Sequence, residues 1–234
     1  MKTALYLIPV TLGDTPPADV LPQSVFRTIE FIDEFVVENV RSARRFLRKA
    51  GFSKDFNEVT FFEIGKHSNA DELIAMLNLK NRLKPLGLLS EAGVPCIADP
   101  GSLVVEVCHA LNIPVIPLVG PSSLMLALMA SGFNGQNFAF HGYLPIDRDD
   151  LKKKLRQLES AVLNNHQTQI FIETPFRNNK LLESLLAGVS SQLKLCIATE
   201  LTTTNESVIT RTISHWKQQK PDLNKKPTVF LIYI

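Results

Sequence analysis

The sequence lacks several features that would assign it to a specialised class of protein. It has only three cysteines in 234 residues, and their wide spacing and odd number fit neither a disulfide framework nor a zinc site. It has one tryptophan and no run of about 18 apolar residues, so we expect no transmembrane helix. The short apolar start is followed at once by Gly13 and Asp14, which indicates a first strand and not a signal peptide. We therefore expect a cytoplasmic protein.

The sequence also lacks a large excess of positive or negative charge. The formal net charge is +2 and the isoelectric point is about 8.4, so nucleic-acid binding can be argued only from local clusters of charge. The G-x-G-x-x-G, P-loop, H-E-x-x-H and G-x-S-x-G motifs are absent, which argues against classical dinucleotide, nucleoside-triphosphate, zinc-protease and α/β-hydrolase sites. No metal-ligand spacing occurs among the histidines, which are His67, His109, His141, His166 and His215. We expect no metal.

What is present is a globular composition, 45% hydrophobic and 21% charged, with short β-branched or aromatic runs alternating with amphipathic ones. This alternation is typical of an α/β protein. The predicted strands of the first half are 5–8, 34–37, 59–64, 86–90 and 115–118, and those of the second half are 138–143, 169–173, 194–198, 207–212 and 228–234. We place a domain boundary at the Gly-Pro turn, giving 1–118 with a mostly parallel sheet and 119–234 with a mixed sheet.

Turns of small residues follow several predicted strands. Segment 90–95 leaves one strand, and segment 99–102 enters the next helix. In open α/β sheets a ligand binds at the carboxyl ends of the strands, and the helix starts at 100–103 and 121–124 would offer N–H groups to a carboxylate. Each turn alone is better explained as an ordinary Asp-Pro or Gly-Pro helix cap.

Taken together, the turns resemble the motifs of one family. S-E-A-G-V-P-C-I-A-D-P-G at 90–101, G-P-S-S at 120–123, G-Y-L-P at 142–145, E-T-P-F-R at 173–177 and E-L-T at 200–202 resemble, in order and spacing, the tetrapyrrole methylase family of S-adenosylmethionine-dependent methyltransferases. The closest likeness is to its small-subunit ribosomal RNA cytidine 2′-O-methyltransferase branch. The resemblance implies two α/β domains with the cofactor in the cleft between them, usually in a homodimer.

Matching positions carry the family's cofactor roles onto this chain. The resemblance implies that the loop after the first strand contacts S-adenosylmethionine, that segment 99–102 lines its methionine end, that two serines face its ribose, and that the second domain flanks its adenine. The residues implied are Pro9, Leu12, Ser90, Glu91, Ala92, Asp99, Pro100, Gly101, Ser102, Ser122, Ser123, Thr174, Ala198, Thr199, Glu200 and Leu201.

A basic face suggests the acceptor. Asn39 can cap a helix on which Arg41, Arg44, Arg45 and Arg48 share one side. Arginine suits phosphate, and ribosomal RNA would offer several phosphates to these four residues. The alternative is a solvated face paired with nearby acids at positions 33, 34 and 38.

The acceptor motifs depart from the RNA-modifying branch. Its E-D-T-R pattern reads Glu38-Asn39-Val40-Arg41 here, which leaves Glu38 and Arg41 as the candidate catalytic residues. Phe176 replaces a histidine, while an arginine before E-L-T and an aspartate at position 91 are also replaced. Three readings therefore stay open: a methyltransferase acting on a ribose 2′-hydroxyl of ribosomal RNA, a methyltransferase of a tetrapyrrole or other small acceptor, and a non-catalytic module that binds cofactor or RNA.

Overall fold

The computed structural model describes residues 2–65 and 68–234, which form two α/β units. One unit extends through Ser122 and the other runs from Ser123 to Ile234. Each unit contains a five-stranded sheet, in agreement with the predicted α/β class. The boundary predicted from the sequence, between residues 118 and 119, lies four residues before the boundary between Ser122 and Ser123.

The first unit is built on a parallel sheet with strand order β3-β2-β4-β1-β5. Because helices connect these strands, all five carboxyl ends lie at one edge of the sheet. The elements are β1 (Leu5–Ile8), α1 (Pro17–Val20), α2 (Gln23–Ile29), β2 (Glu34–Val37), α3 (Val40–Lys49), β3 (Thr60–Glu63), α4 (Ala70–Met76), β4 (Leu86–Leu89), α5 (Gly101–Ala110) and β5 (Val115–Pro117).

Local sequence explains why these elements form where they do. Strand β4 is buried at all four positions, as its apolar run predicts for a strand in the middle of a parallel sheet. Helix α4 starts with a capping box, in which the Asn69 side chain accepts from the Glu72 N–H at 3.0 Å and the Glu72 carboxylate accepts from the Asn69 N–H. Short 3₁₀ turns at Phe56–Glu58 and Leu79–Asn81 complete the unit.

The second unit has a mixed sheet with strand order β6-β7-β10-β8-β9. Strands β6 and β7 pair in parallel, and the other three neighbouring pairs are antiparallel. The elements are α6 (Ser123–Ser131), β6 (Phe138–Tyr143), α7 (Arg148–Asn165), β7 (Thr168–Ile172), α8 (Asn178–Gly188), β8 (Lys194–Thr199), β9 (Ser207–Thr212), α9 (Ile213–Gln218) and β10 (Thr228–Tyr233).

Helix α9 is the element that sequence reasoning missed in this unit. It is only six residues long, too short to show a helical period. Its anchor is Trp216, which is buried and donates its Nε1–H to the Leu195 carbonyl oxygen at 2.9 Å. Within the described residues, no helix is both long enough and apolar enough to cross a membrane.

Candidate functional site

The loops that follow β1, β4 and β5 meet at the carboxyl edge of the first sheet. The Val10 N–H donates to the Gly93 carbonyl at 2.9 Å, and the Val94 N–H donates to the Pro121 carbonyl at 3.0 Å. A Cβ on Gly120 would lie 2.2 Å from the Cβ of Pro9, so this position requires glycine. The structure therefore brings together three of the predicted cofactor loops, including Pro9, the Ser90 turn and the Gly-Pro-Ser turn.

Asp99 organises the loop that leads into α5. Its Oδ2 accepts from the Cys96 N–H at 2.8 Å and its Oδ1 accepts from the Gly101 N–H at 2.7 Å. Between them, Cys96 and Ala98 hold left-handed backbone conformations, with φ of 69° and 64°. Such residues are strained without local support, so Asp99 fixes the shape of this loop.

The hydrogen bonds to Asp99 reduce the number of N–H groups that the start of α5 can offer to a ligand. The N–H of Gly101 already donates to Asp99, so the N–H groups left for a ligand begin beyond it, next to the exposed Ser102. Burial, together with the nearby charge of Asp99, raises the pKa of the Cys96 thiol to about 12. This thiol therefore stays protonated at neutral pH and is a poor nucleophile.

The turn after β4 faces α3. Ser90 uses its Oγ to donate to the Gly93 carbonyl at 2.7 Å, while Glu91 and Ala92 are exposed. The Glu91 N–H donates to Glu38 Oε1 at 3.4 Å. Glu38, at the carboxyl end of β2, thus lies beside the predicted cofactor turn.

Three carboxylates surround the first turn of α3. Asn39 accepts from the Ser42 N–H at 3.1 Å and caps the helix, so asparagine retains the capping role that an aspartate would have. The Ser42 hydroxyl donates to the Glu91 carboxylate, and the Val40 N–H donates to Glu63 Oε2 at 3.3 Å. Sequence reasoning named Glu38, Glu91 and Arg41 here, but it missed Glu63 and Ser42. The signal for Glu63 is its position at the carboxyl end of β3, adjacent to β2.

Two of the four arginines on the basic face of α3 pack against aromatic rings. The Cζ of Arg48 lies 4.0 Å from the centre of the Phe56 ring, and that of Arg44 lies 5.2 Å from the Phe61 ring. Arg48 also donates to the Phe52 carbonyl at 2.7 Å. These two arginines therefore hold the helix against aromatic side chains.

Two of the three acids proposed as partners of this face bind other cations. Asp33 pairs with Lys54 at 2.6 Å, and Glu34 pairs with Arg82. Within residues 2–65 and 68–234, the ion pairs include none of the four arginines. All four arginines are exposed, but Arg44 and Arg48 contact aromatic rings, and we expect Arg41 and Arg45 to be the residues available to phosphate.

The second sheet gathers its own candidate residues at one edge. Strand β10 lies between β7 and β8, so that Val229 pairs with both Ile172 and Ala198. The Glu200 N–H donates to the Pro227 carbonyl at 2.9 Å. Thr174 and segment 198–201 therefore follow strands that end at the same edge.

The exposure of these side chains limits what they can contact. Ala198, Thr199 and Leu201 are buried, whereas Thr174 is exposed and Glu200 is half-buried. A ligand at this edge would therefore meet the side chains of Thr174 and Glu200 and only the backbone of the buried three. Glu200 has φ of 49°, and its carbonyl accepts from the Thr203 hydroxyl at 2.8 Å.

No metal centre is evident in the part of the chain that the structure describes. No group of three or more His, Cys, Asp or Glu side chains could hold an ion there, and His67 lies outside the described residues. His141 instead hydrogen-bonds Gln169 through Nε2 at 2.7 Å and Lys154 Nζ through Nδ1 at 3.2 Å. Burial lowers the pKa of His141, and the adjacent Lys154 charge lowers it further against the opposing hydrogen bond from Gln169.

Comparison with known proteins places this geometry in a family. Residues 4–216 match the family model described as Tetrapyrrole (Corrin/Porphyrin) Methylases. The Ribosomal RNA small subunit methyltransferase I of Bacillus subtilis (strain 168) is 30% identical over 213 residues, 90% of this chain and 68% of that protein. The protein of the same name from Haemophilus influenzae is 27% identical over 231 residues, 97% of this chain and 77% of that protein.

Solved structures show the same fold. The methyltransferase CobJ aligns with a TM-score of 0.65 at 16% identity, covering 99% of this chain and 94% of its own. Uroporphyrin-III C-methyl transferase from Thermus thermophilus, complexed with S-adenosyl homocysteine, aligns with a TM-score of 0.56 at 15% identity, covering 98% and 97%.

Proposed function

Because the chain belongs to the tetrapyrrole methylase family and is an S-adenosylmethionine-dependent methyltransferase, we propose that its acceptor is a ribose 2′-hydroxyl of small-subunit ribosomal RNA. The curated relatives that it matches over most of its length are named as small-subunit ribosomal RNA methyltransferases. The observation that carries the RNA part of the proposal is the exposed pair Arg41 and Arg45 on α3, the helix that follows β2; the nearby acids Asp33 and Glu34 bind other cations.

The residues at the two sheet edges fit the proposed cofactor chemically. The first unit offers hydroxyl groups at Ser102 and Ser122, amide N–H groups beyond Gly101 and small side chains at Ala92 and Gly93. These groups suit the carboxylate and ribose of S-adenosylmethionine. The second unit offers the Thr174 hydroxyl and the backbone of 198–201, which suit the polar edge of an adenine.

The chain's own contribution to methyl transfer is to orient and deprotonate the acceptor. S-adenosylmethionine supplies an activated methyl group, so little bond activation is required of the protein. We assign to the Glu38 carboxylate the hydrogen bond from the ribose hydroxyl and the acceptance of its proton. Arg41, in the first turn of α3 beside Glu38, would bind the flanking phosphate and fix the approach of the hydroxyl.

Labelled S-adenosylmethionine tests the function directly. We expect incubation with small-subunit RNA from a strain deleted for this gene to place label in the RNA. A 2′-O-methyl group blocks alkaline cleavage at its own nucleotide, so the label should be recovered in an alkali-resistant dinucleotide. Label in an added tetrapyrrole instead would support the small-acceptor reading, and cofactor binding with no transfer would support the non-catalytic one.

Because two of the four arginines, Arg44 and Arg48, contact aromatic rings, we expect two double variants of the basic face to have different effects. Replacing Arg41 and Arg45 by alanine should remove two phosphate contacts and flatten the slope of log RNA affinity against log salt by roughly 1.4. The matched variant at Arg44 and Arg48 should mainly lower the melting temperature, because each lost stacking contact costs about 0.5–1 kcal/mol. RNA affinity at three salt concentrations and thermal melts check both. An unchanged salt slope in the variant at Arg41 and Arg45 would show that these two arginines do not bind RNA phosphates.

We also propose that the protein is a homodimer, as the family resemblance implies. The exposed apolar side chains Leu83, Val119 and Met129 are candidates for surface covered in a symmetric pair. Light scattering at micromolar concentration should give the mass of two chains, and the mass of one chain would contradict the proposal.

A further inference from the structure

Phe176 is an aromatic side chain presented to solvent by a rigid loop. Its side chain is 75% exposed, although it follows directly on the buried strand β7 and precedes α8. Exposed aromatic surface of this size costs free energy in water unless a partner covers it.

The backbone around Phe176 is held from both sides. The buried Glu173 carboxylate accepts from the Thr174 N–H at 2.7 Å and forms an ion pair with Arg177 at 2.9 Å. The Arg177 N–H donates to the Thr174 carbonyl at 2.9 Å, which closes the turn around Phe176. The ring is therefore displayed on a fixed support, which keeps the entropic cost of binding low.

Two lysines flank this turn. The Lys225 N–H donates to the Pro175 carbonyl at 3.0 Å, and the Lys226 carbonyl accepts from the Asn178 side chain at 2.7 Å. Lys225 is exposed and takes a left-handed conformation with φ of 60°. The charge of Arg177 is balanced by Glu173, and Lys226 lies close enough to Asp222 to interact with its carboxylate, so the exposed Lys225 is the cation that this turn offers to a ligand.

We propose that Phe176 is a stacking platform for one base of the acceptor RNA and that Lys225 contacts an adjacent phosphate. This inference rests on the proposed RNA acceptor. A flat exposed ring beside a cation is the combination that single-stranded RNA recognition uses, since a base has a π-face and its phosphate is anionic. Thr174, proposed to contact the adenine of the cofactor, lies two residues before Phe176 in the same turn.

Substitutions at Phe176 separate stacking from simple apolar contact. F176A and F176L should each weaken the binding of a short single-stranded RNA oligonucleotide by about 5- to 100-fold, since stacking on an aromatic ring is lost in both. F176Y and F176W should restore it. F31A is the matched control, because Phe31 is a comparably exposed phenylalanine (65%) in the other unit, and it should bind RNA as the wild type does.

Further measurements test whether the Phe176 substitutions act through RNA stacking alone. The Phe176 variants should keep the melting temperature, the S-adenosylmethionine affinity and the light-scattering mass of the wild type, since the ring makes little contact within the chain. K225A should flatten the salt slope of RNA binding by roughly 0.7. RNA binding by F176L equal to that of the wild type would overturn the inference, as would a loss confined to cofactor affinity or a change in mass.

Different results would contradict the proposed function and the stacking role of Phe176. If the wild type neither binds nor methylates small-subunit RNA, the proposed function is wrong and the stacking platform is wrong with it. If the wild type methylates RNA and F176A and F176L match it in RNA affinity and rate, only the stacking platform is wrong.

Discussion

Glu38→Gln should lower kcat for RNA methylation by roughly 10²–10⁴-fold, the range typical of a lost general base. The amide cannot accept the proton of the ribose hydroxyl, yet its oxygen can still accept from the Glu91 N–H, which Glu38 binds at 3.4 Å. The fold of the β4 turn should therefore persist. Single-turnover methyl transfer, with S-adenosylmethionine affinity measured in parallel, checks the result.

The neighbouring carboxylate provides the control for this substitution. Glu63 accepts from the Val40 N–H at 3.3 Å and has no assigned part in the chemistry. Glu63→Gln keeps an acceptor oxygen for that N–H, so its kcat should stay close to the wild-type value. A Glu38→Gln enzyme with unchanged kcat would show that the proton leaves by another route, and Glu91 would then be the first residue to replace.

Asp99→Ala should weaken both the fold and the binding of S-adenosylmethionine. The substitution leaves the N–H groups of Cys96 and Gly101 without their acceptor, which costs about 1–3 kcal/mol of unfolding free energy. The released loop must then be ordered again on binding, so the cofactor affinity should fall by roughly tenfold or more. Denaturant melts and calorimetric titration with S-adenosylmethionine measure the two effects.

Two further variants serve as controls for Asp99→Ala. Asp99→Asn keeps one acceptor oxygen for the two N–H groups, so its stability and affinity should lie between those of the wild type and the alanine variant. Asp14→Ala removes an exposed aspartate whose carboxylate pairs with Lys49 at 2.5 Å, and surface pairs of this kind contribute little. Wild-type cofactor affinity in Asp99→Ala would separate this loop from the cofactor site.

The local elements were largely predictable from the sequence. Strands β1, β2, β6 and β9 lie at the predicted residues, because β-branched and aromatic runs bounded by turn residues specify short strands. The Asn39 and Asn69 caps were predictable too, since a cap depends on residues within one turn. The motif turns were placed at strand ends by the same local signals.

The contacts between distant segments were not predictable in this way. Strand order β3-β2-β4-β1-β5 keeps β2 beside β3 but separates β1 from β2, β3 from β4 and β4 from β5, and no local period records which strands become neighbours. For the same reason the sequence did not show that Glu63 would reach the Val40 N–H, or that Arg44 would stack on Phe61.

By itself, the sequence determined the α/β class, most strand positions and the turns that carry the methyltransferase motifs, because each depends on a period or a turn signal within a few residues. Only the tertiary structure decided which side chains those turns leave available. It paired Asp99 with the first N–H of α5, placed two of four exposed arginines, Arg44 and Arg48, against aromatic rings, and left the ring of Phe176 in solvent. Whether a side chain is engaged or free depends on segments that the sheet register brings beside it, and register is fixed by packing across the whole unit.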